Sequence, residues 1–517
     1  MDLTQEVKAW IADDPDPKTA AQLQQWLDSN NEVELRASFS GFLQFGTAGL
    51  RGPIRPGPSG MNRAVVGRTA AGIAAYMKER NLTSVVIGRD ARYGSEDFTF
   101  ETAQIMSGAG MKVYVLPRPL PTPVLAFATN ELKCDVGIMV TASHNPPQDN
   151  GYKVYLGGTV DGIHYRGSQI VSPTDESIAQ KIDSITSLAS QPRGKEWTVL
   201  GEEVVDKYVG ITAALAHKPG NLKIVYTAMH GVGTETLQQV FHKAGFPQPI
   251  LVDSQAKPDP DFPTVAFPNP EEPGAIDLAL ETARTFDADL VIANDPDADR
   301  CAAAVKDPVK GWRMLRGDEL GVILGETIAR ATTQGILANS IVSSSILSKI
   351  AAHYKLDFKE TLTGFKWLAK IDGLTFGYEE ALGYAVDAVT VNDKDGISAA
   401  IKLAQIATDL AAQNKTLLDL LDEVWARHGF HATEQISIRL SDLSQVGVIM
   451  GNLRSNSPKE IAGRSVTSID DLAKPKDGLP PTDGLRIWLD GGIRIIIRPS
   501  GTEAKMKCYI EAIAKDS

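Results

Sequence analysis

The sequence predicts an α/β fold: three similar mixed α/β domains followed by a smaller C-terminal α+β domain. Strand-like apolar runs alternate with helical patterns in three successive rounds up to about residue 430, which is typical of parallel sheets. From residue 431 the pattern changes to short runs that alternate apolar and polar side chains, typical of antiparallel strands. A chain of 517 residues is also too long for one hydrophobic core.

We expect five segments along the chain. Residues 1–40 carry spaced apolar positions and are expected to form one or two polar helices, and the Gly- and Pro-rich stretch 41–60 is expected to be irregular. The expected boundaries are a helical extension at 1–40, α/β domains at 41–205, 206–317 and 318–430, and an α+β domain at 431–517.

The elements follow from apolar runs and their flanking turn residues. In the first domain we expect strands at 85–87, 112–116 and 136–140 and helices at 64–80 and 96–109. In the second we expect strands at 222–226, 250–252 and 289–293, a helix ending near 244 and a loop at 257–273. In the third we expect helices at 319–332, 346–354 and 396–427 and strands at 341–345 and 374–376. In the tail we expect strands at 435–440, 485–489, 493–497 and 505–512, with a hairpin turn at Asp490-Gly491-Gly492.

Composition excludes several functional classes. No apolar run approaches the ~20 residues that span a bilayer, and the acidic, polar N-terminal segment does not resemble a signal peptide. A net charge of −12 argues against a nucleic-acid surface. Three widely separated cysteines suit a reducing compartment. We therefore expect a cytoplasmic protein with no membrane and no nucleic-acid partner.

The most informative stretch is Thr141-Ala142-Ser143-His144-Asn145-Pro146-Pro147, which follows the apolar run 136–140. Ligands of open α/β sheets bind outside the carboxyl ends of strands, so Ser143 stands where a nucleophile or phosphoryl carrier would be useful. An ordinary Ser/Asn/Pro turn is the alternative.

A second stretch, Asp295-Pro296-Asp297-Ala298-Asp299-Arg300, follows another apolar run. Three carboxylates at alternate positions repel one another, and a hard cation such as Mg²⁺ would relieve the repulsion. A calcium loop would need a glycine and a distal glutamate that are missing here. The alternative is a solvated acidic turn.

Four further stretches could contact an anion or a sugar. Arg498, Ser500, Gly501 and Thr502 could form a phosphate clamp. Glu379 and Glu380 lie between glycines and could accept hydrogen bonds from sugar hydroxyls, or could simply begin a helix. Lysines stand in two tight polar segments, Thr363-Gly364-Phe365-Lys366 and Asp393-Lys394-Asp395-Gly396. The glycine-rich stretches, such as 45–52 around Arg51, fit neither a Walker nor a Rossmann fingerprint, so neither ATP nor NAD is expected.

Taken together, the chain resembles the α-D-phosphohexomutase family. The shared motifs are TASHNPPQDNGYKVY at 141–155, DPDADR at 295–300, GYEEALG at 377–383 and RPSGTE at 498–503, in the family's order. FGTAGLRG at 45–52, TGFKW at 363–367 and DKDG at 393–396 resemble the branch that includes phosphoglucomutases, phosphomannomutases and phosphopentomutases. The resemblance implies four domains around a central cleft, each contributing one loop.

The resemblance also implies roles for individual residues. Ser143 would be the phosphoserine, and it would hold Mg²⁺ together with Asp295, Asp297 and Asp299. Lys153 would transfer protons, and its position near cations would lower its pKa. His144 and Arg51 would complete the catalytic group. The substrate-binding set would be Arg300, Thr363, Gly364, Lys366, Glu379, Glu380, Lys394, Arg498, Ser500, Gly501 and Thr502.

The expected activity is reversible phosphoryl transfer between C1 and C6 of glucose or mannose phosphate, through a sugar 1,6-bisphosphate. Ala381 stands where many members carry serine, and Leu382-Gly383-Tyr384 stands where some members carry Gly-His, so a pentose phosphate is the main alternative. A sugar-phosphate phosphatase and a non-catalytic sugar-phosphate sensor are more distant alternatives. The sequence gives no oligomeric state.

Overall fold

The computed structural model describes residues 2–46, 49–442, 444–476, 478–499 and 505–514. The chain forms two compact units. The first unit contains residues 1–314 and 383–408, and the second contains residues 315–382 and 409–517. Among the described residues we find no helix with both the length and the apolar character needed to cross a bilayer.

The N-terminal extension contains three helices where we expected one or two. Each begins at a side chain that accepts a backbone N–H, namely Asp2, Asp16 and Asn31. Val7, Leu23 and Leu35 form the small core between the helices. The helices are Leu3–Asp13, Pro17–Asp28 and Glu32–Ser38.

The first sheet places the strand Val136–Val140 near its centre, with every residue buried. This strand is parallel to Ser84–Arg89 but antiparallel to Asp149–Leu156, a strand that the sequence analysis missed. The sheet is therefore mixed rather than purely parallel. Its strands, in spatial order, are Leu50–Pro53, Asp149–Leu156, Val136–Val140, Ser84–Arg89, Lys112–Val115 and Thr198–Val199, with Ser168–Gln169 paired to Asp149–Leu156. Thr159–Val160 and Ile163–His164 form a separate ribbon. The helices of this first domain are Arg63–Glu79, Ser95–Gly108, Thr122–Glu131 and Thr174–Ser184.

The second sheet repeats this arrangement. Ile224–Thr227 is parallel to Leu290–Ala293, and the chain then turns back so that Ala302–Asp307 is antiparallel to Leu290–Ala293. The spatial order is Ile250–Leu251, Ile224–Thr227, Leu290–Ala293, Ala302–Asp307 and Gly311–Met314. The helices are Glu203–Ala213, Gly233–Lys243 and Asp277–Thr285, with a 3₁₀ turn at Asp253–Gln255. The strand Gly383–Ala385 and most of the helix Gly396–Ala411 also belong to the first unit.

In the second unit the strand expected at 341–345 is wrong, because the strand is Ile336–Ser340. Ile341 and Val342 are buried for another reason: they pack against Leu472, Ile496 and Tyr509. The strands of this unit are parallel in the order Asp357–Thr361, Ile336–Ser340 and Leu374–Glu379. The helices are Gly317–Ala331, Ile346–Tyr354, Phe365–Leu368 and Leu417–His428.

The tail forms an antiparallel sheet, as expected. The hairpin between Leu485–Leu489 and Ile493–Pro499 turns at Gly491 and Gly492, which both have φ near +75°. The helix Ser444–Ser455 covers one face of this sheet. The strand order is Phe430–Arg439, Lys505–Ala514, Ile493–Pro499, Leu485–Leu489, Arg464–Asp471 and Glu460–Ile461.

Candidate active site

Ser143 lies in the loop that follows the buried strand Val136–Val140, at the carboxyl end of that strand. It is 3% exposed and adopts a left-handed backbone with φ of 51°. A left-handed conformation in a non-glycine residue costs about 1–3 kcal/mol and must be maintained by the surrounding structure. The Ser143 N–H donates to Thr141 Oγ1 at 2.9 Å. Its Oγ donates to Asp295 Oδ2 at 2.9 Å and lies 3.2 Å from His144 Nδ1.

The three aspartates lie in the loop after the strand Leu290–Ala293 and are at most 1% exposed. One carboxylate oxygen from each lies within 4.8 Å of the others. Burial and then repulsion from Asp297 and Asp299 raise the pKa of Asp295 well above its ordinary value. Burial would raise the pKa of Asp299 too, but Lys153 and then Lys394 outweigh it and lower that pKa.

The pKa of Lys153 differs from the expectation that nearby cations lower it. Its Nζ donates to Asp297 Oδ2 at 2.7 Å and to Asp299 Oδ2 at 2.8 Å. Burial alone would lower the pKa of Lys153, but the two carboxylates outweigh it, so the pKa lies above its ordinary value. The expected lowering of this pKa is therefore wrong, because the closest charged groups to this ammonium are anions.

The acidic cluster fits a divalent cation. Asp297 Oδ1 and Asp299 Oδ1 are buried, and neither has a hydrogen-bond partner among the described residues. Buried carboxylate oxygens without partners are costly, and hard cations prefer such oxygens as ligands. Asp295, Asp297 and Asp299 could thus hold Mg²⁺, with Ser143 Oγ beside them.

The basic and imidazole groups predicted for this site surround the same loops. Lys394 Nζ lies 3.3 Å from Asp299 Oδ2, and Arg300 Nε lies 3.9 Å from Asp295 Oδ2. Arg51 donates to Asn145 Oδ1 at 3.1 Å, in the loop of Ser143. Burial, and then repulsion from Arg300 and Arg51, hold the pKa of His144 well below its ordinary value, so its imidazole is neutral near pH 7.

The predicted sugar loop lies in the second unit. Glu379 ends the strand Leu374–Glu379, and its Oε1 accepts the backbone N–H of Gly364 at 2.6 Å. Thr363 adjoins this contact, and Lys366 lies in the short helix Phe365–Leu368. The structure therefore joins two motifs whose contacting residues, Gly364 and Glu379, are 15 positions apart in the sequence.

Glu380 is held by the fold of the second unit. Its Oε2 accepts hydroxyl hydrogen bonds from Ser340 and Ser343, both at 3.1 Å. Arg498 lies in the strand Ile493–Pro499 and is half-buried. Ser500, Gly501 and Thr502, predicted to complete its phosphate clamp, lie outside the described residues.

The sequence analysis missed Thr122, which begins the helix Thr122–Glu131. Its Oγ1 donates to Asp297 Oδ2 at 2.6 Å and its N–H donates to the Asp297 carbonyl at 2.9 Å. The only local signal is a Thr-Pro pair at a helix start, which says nothing about a carboxylate 175 positions later. Thr122 is fully buried and orients one of the three candidate metal ligands.

The fold and the site define a phosphomutase built from three α/β/α domains and a C-terminal domain. The matching families are described as phosphoglucomutase/phosphomannomutase alpha/beta/alpha domain I at residues 43–189, domain II at 204–311 and domain III at 316–428, and the C-terminal domain at 451–516. The chain belongs to the phosphoglucomutase/phosphomannomutase family, whose members are isomerases.

Curated relatives agree with this assignment, and a solved structure has a similar fold. The chain is 50% identical over 463 residues to the "Probable phosphomannomutase" of Haemophilus influenzae, covering 88% of this chain and 94% of that protein. It is 34% identical to the phosphopentomutase of Mus musculus, covering 99% of this chain and 90% of that protein. The fold is similar to that of pp63/parafusin from Paramecium, with a TM-score of 0.72 and 20% identity over 93% of this chain and 92% of that one.

Proposed function

We propose that this phosphosugar mutase interconverts the 1- and 6-phosphates of a hexose, mannose or glucose. The phosphoryl group would pass through a phosphoserine at position 143 and a sugar 1,6-bisphosphate. The observation that carries the proposal is the 2.9 Å hydrogen bond from Ser143 Oγ to Asp295 within a cluster of three buried carboxylates. An acceptor hydroxyl and a candidate metal site are thereby in direct contact.

The chemistry is in-line phosphoryl transfer, in which positioning and charge stabilisation do most of the work. Phosphoserine carries a charge of about −1.5 to −2 near neutral pH. Mg²⁺ on Asp295, Asp297 and Asp299 would neutralise charge on the phosphoryl group. Arg51 and Arg300 add fixed positive charge near the acceptor loop.

The proton of the attacking sugar hydroxyl needs an acceptor. Lys153 is our candidate, by its likeness to a family lysine and because it contacts two carboxylates of the acidic cluster. The same carboxylates hold its pKa above the ordinary value, so its amine would accept this proton only when Mg²⁺ on Asp297 and Asp299 offsets their charge. We propose that Glu379 binds the sugar hydroxyls, which its contact with the backbone of Gly364 supports. We propose that the Arg498 loop binds the second phosphate.

The hexose assignment rests on the 50% identical relative, which is named a phosphomannomutase. A pentose phosphate is the second candidate. Relatives at 34% identity are named phosphopentomutases, and Ala381 removes a hydroxyl beside the proposed sugar-binding glutamate. The three free cysteines support the expected location in a reducing compartment, the cytoplasm.

A coupled assay tests the proposal. Mannose, glucose, ribose and deoxyribose 1-phosphates are each supplied with Mg²⁺ and a trace of the matching bisphosphate, and isomerised product and free phosphate are both measured. We expect isomerised hexose phosphate from wild type and none from Ser143→Ala. Ser168→Ala is the matched control, because it removes another buried serine hydroxyl of the same domain, one that donates to the Tyr165 carbonyl.

Each other outcome identifies a rival. Release of free phosphate without isomerised sugar would indicate a phosphatase, and binding without turnover would indicate a sensor. Faster turnover of pentose phosphates than of hexose phosphates would replace the hexose assignment. Normal turnover by Ser143→Ala would refute the phosphoserine.

A further inference from the structure

One arginine, Arg92, binds the backbone of the loop that carries Ser143. Arg92 lies just after the strand Ser84–Arg89 and is 5% exposed. Its Nη2 donates to the backbone carbonyls of Ser143 and Asn145, both at 2.6 Å. Its Nη1 donates to the carbonyls of Pro146 at 2.8 Å and Asp149 at 3.1 Å. One guanidinium therefore binds four carbonyls of the segment 143–149.

Arg92 is itself fixed in place. Its Nε lies 3.3 Å from Asp90 Oδ2, and its guanidinium stacks over the Phe262 ring with its centre 4.9 Å away. The Asp90 Oδ1 atom accepts the Arg92 N–H at 3.0 Å and the Ser95 hydroxyl at 2.7 Å. The acidic partner balances the buried charge, and the planar group is oriented on both sides.

The carbonyl of Ser143 is the first of the four that Arg92 binds. Ser143 needs a left-handed backbone to present its hydroxyl to Asp295, and such a conformation persists only where neighbouring contacts enforce it. The fork of Arg92 fixes the carbonyls on both sides of the His144 residue. A lysine could not replace it, because a single ammonium lacks the rigid, planar donor set.

We propose that Arg92 is a positioning residue for phosphoryl transfer: it holds the loop 143–149 so that Ser143 Oγ stays on the acidic cluster. This role rests on the proposed function, since it is Ser143 that would carry the phosphoryl group. Arg92 makes its contacts to the backbone of the loop and acts through Ser143. Its loss should therefore lower kcat while KM changes little.

The experiment combines two independent measurements on the full-length protein. Hydrogen–deuterium exchange reports on the amides of 143–149, and steady-state kinetics with the best hexose 1-phosphate report on turnover. The variants are Arg92→Ala and Arg92→Lys, with Arg63→Ala as the control. Arg63 is a partly buried arginine whose guanidinium binds the buried carboxylate of Glu101, in the helix Ser95–Gly108.

We expect Arg92→Ala to exchange faster at 143–149 and to lose about 100-fold in kcat, because small misplacements of a reacting group have effects of that size. KM should stay within a few-fold of wild type, and added methylguanidinium should recover part of the turnover. Arg92→Lys keeps the cation beside Asp90, so it tests the proposal even if the alanine variant does not fold. It should still lose most of the turnover.

Several results would overturn the role. These are unchanged exchange of the loop in Arg92→Ala, wild-type kcat in Arg92→Lys, or an equal loss of kcat in Arg63→Ala. If wild type itself lacks mutase turnover, the proposed function fails, and the exchange measurement alone still decides whether Arg92 holds the loop.

Discussion

Replacing Thr122 by valine isolates one hydrogen bond to a candidate metal ligand. Valine keeps the branched shape and removes only the hydroxyl that donates to Asp297 Oδ2 at 2.6 Å. The backbone bond from residue 122 to the Asp297 carbonyl remains. Asp297 then keeps Lys153 as a side-chain partner but loses the contact that fixes its orientation.

The size of the effect follows from the nature of this bond. A hydrogen bond to a charged group contributes about 1.5–3 kcal/mol. Each 1.4 kcal/mol is about a tenfold change in a binding constant, so the dissociation constant for Mg²⁺ should rise about 10- to 100-fold. Loss of partners that orient metal ligands has effects of this size in metalloproteins generally.

Calorimetric titration of Mg²⁺ into each protein measures this directly, without relying on turnover. Thr129→Val is the matched control, because Thr129 is a buried threonine of the same helix whose hydroxyl donates to the Leu125 carbonyl. The control should lose stability but bind Mg²⁺ as wild type does. Equal Mg²⁺ affinity in all three proteins would refute the role assigned to Thr122.

Three further predictions concern buried ionisable groups. The variant Lys153→Arg keeps a positive charge, but its guanidinium does not release a proton, so turnover should fall as far as in Lys153→Met. An active arginine variant would show that charge alone is needed. Burial raises the pKa of Asp395 from 3.8 to about 6. The protonated carboxyl of Asp395 therefore makes its full contribution to the stability of the fold below pH 3.8, and this contribution is lost as the pH rises to about 6. Asp395→Asn should remove about 3 kcal/mol of that pH dependence in denaturant unfolding, and an unchanged slope would contradict it. Glu511→Ala removes the carboxylate 2.9 Å from buried Arg494 and should lower the free energy of urea unfolding by about 3–5 kcal/mol, whereas a loss under 1 kcal/mol would show that the pair is dispensable.

Local pattern was enough to predict that Ser143 lies at the carboxyl end of a buried strand. The run 136–140 is apolar at every position because both faces of the strand are covered, and the hydroxyl follows where that run ends. The acidic loop after Leu290–Ala293 follows the same rule. Both predictions needed only the rule that sites lie at the carboxyl ends of strands.

The missed elements depend on contacts between distant parts of the chain. The strand Asp149–Leu156 was missed because it contains Asn150, Gly151 and Lys153, which pattern rules assign to solvent. Lys153 can be buried because two carboxylates, from the loop that follows the strand Leu290–Ala293, neutralise it. Thr122 and Arg92 likewise act on partners about 50 to 175 positions away, which no periodicity encodes.

The path of the chain through the first unit has a consequence for biosynthesis. The polypeptide leaves that unit after residue 314 and returns only at residue 383. Lys394, which partly balances the anionic Asp299, is synthesised 95 positions after it. When residue 314 has just left the ribosome, the nascent chain carries the acidic cluster without this counter-charge. We therefore expect a fragment that ends at residue 314 to need chaperone protection or high salt to stay folded.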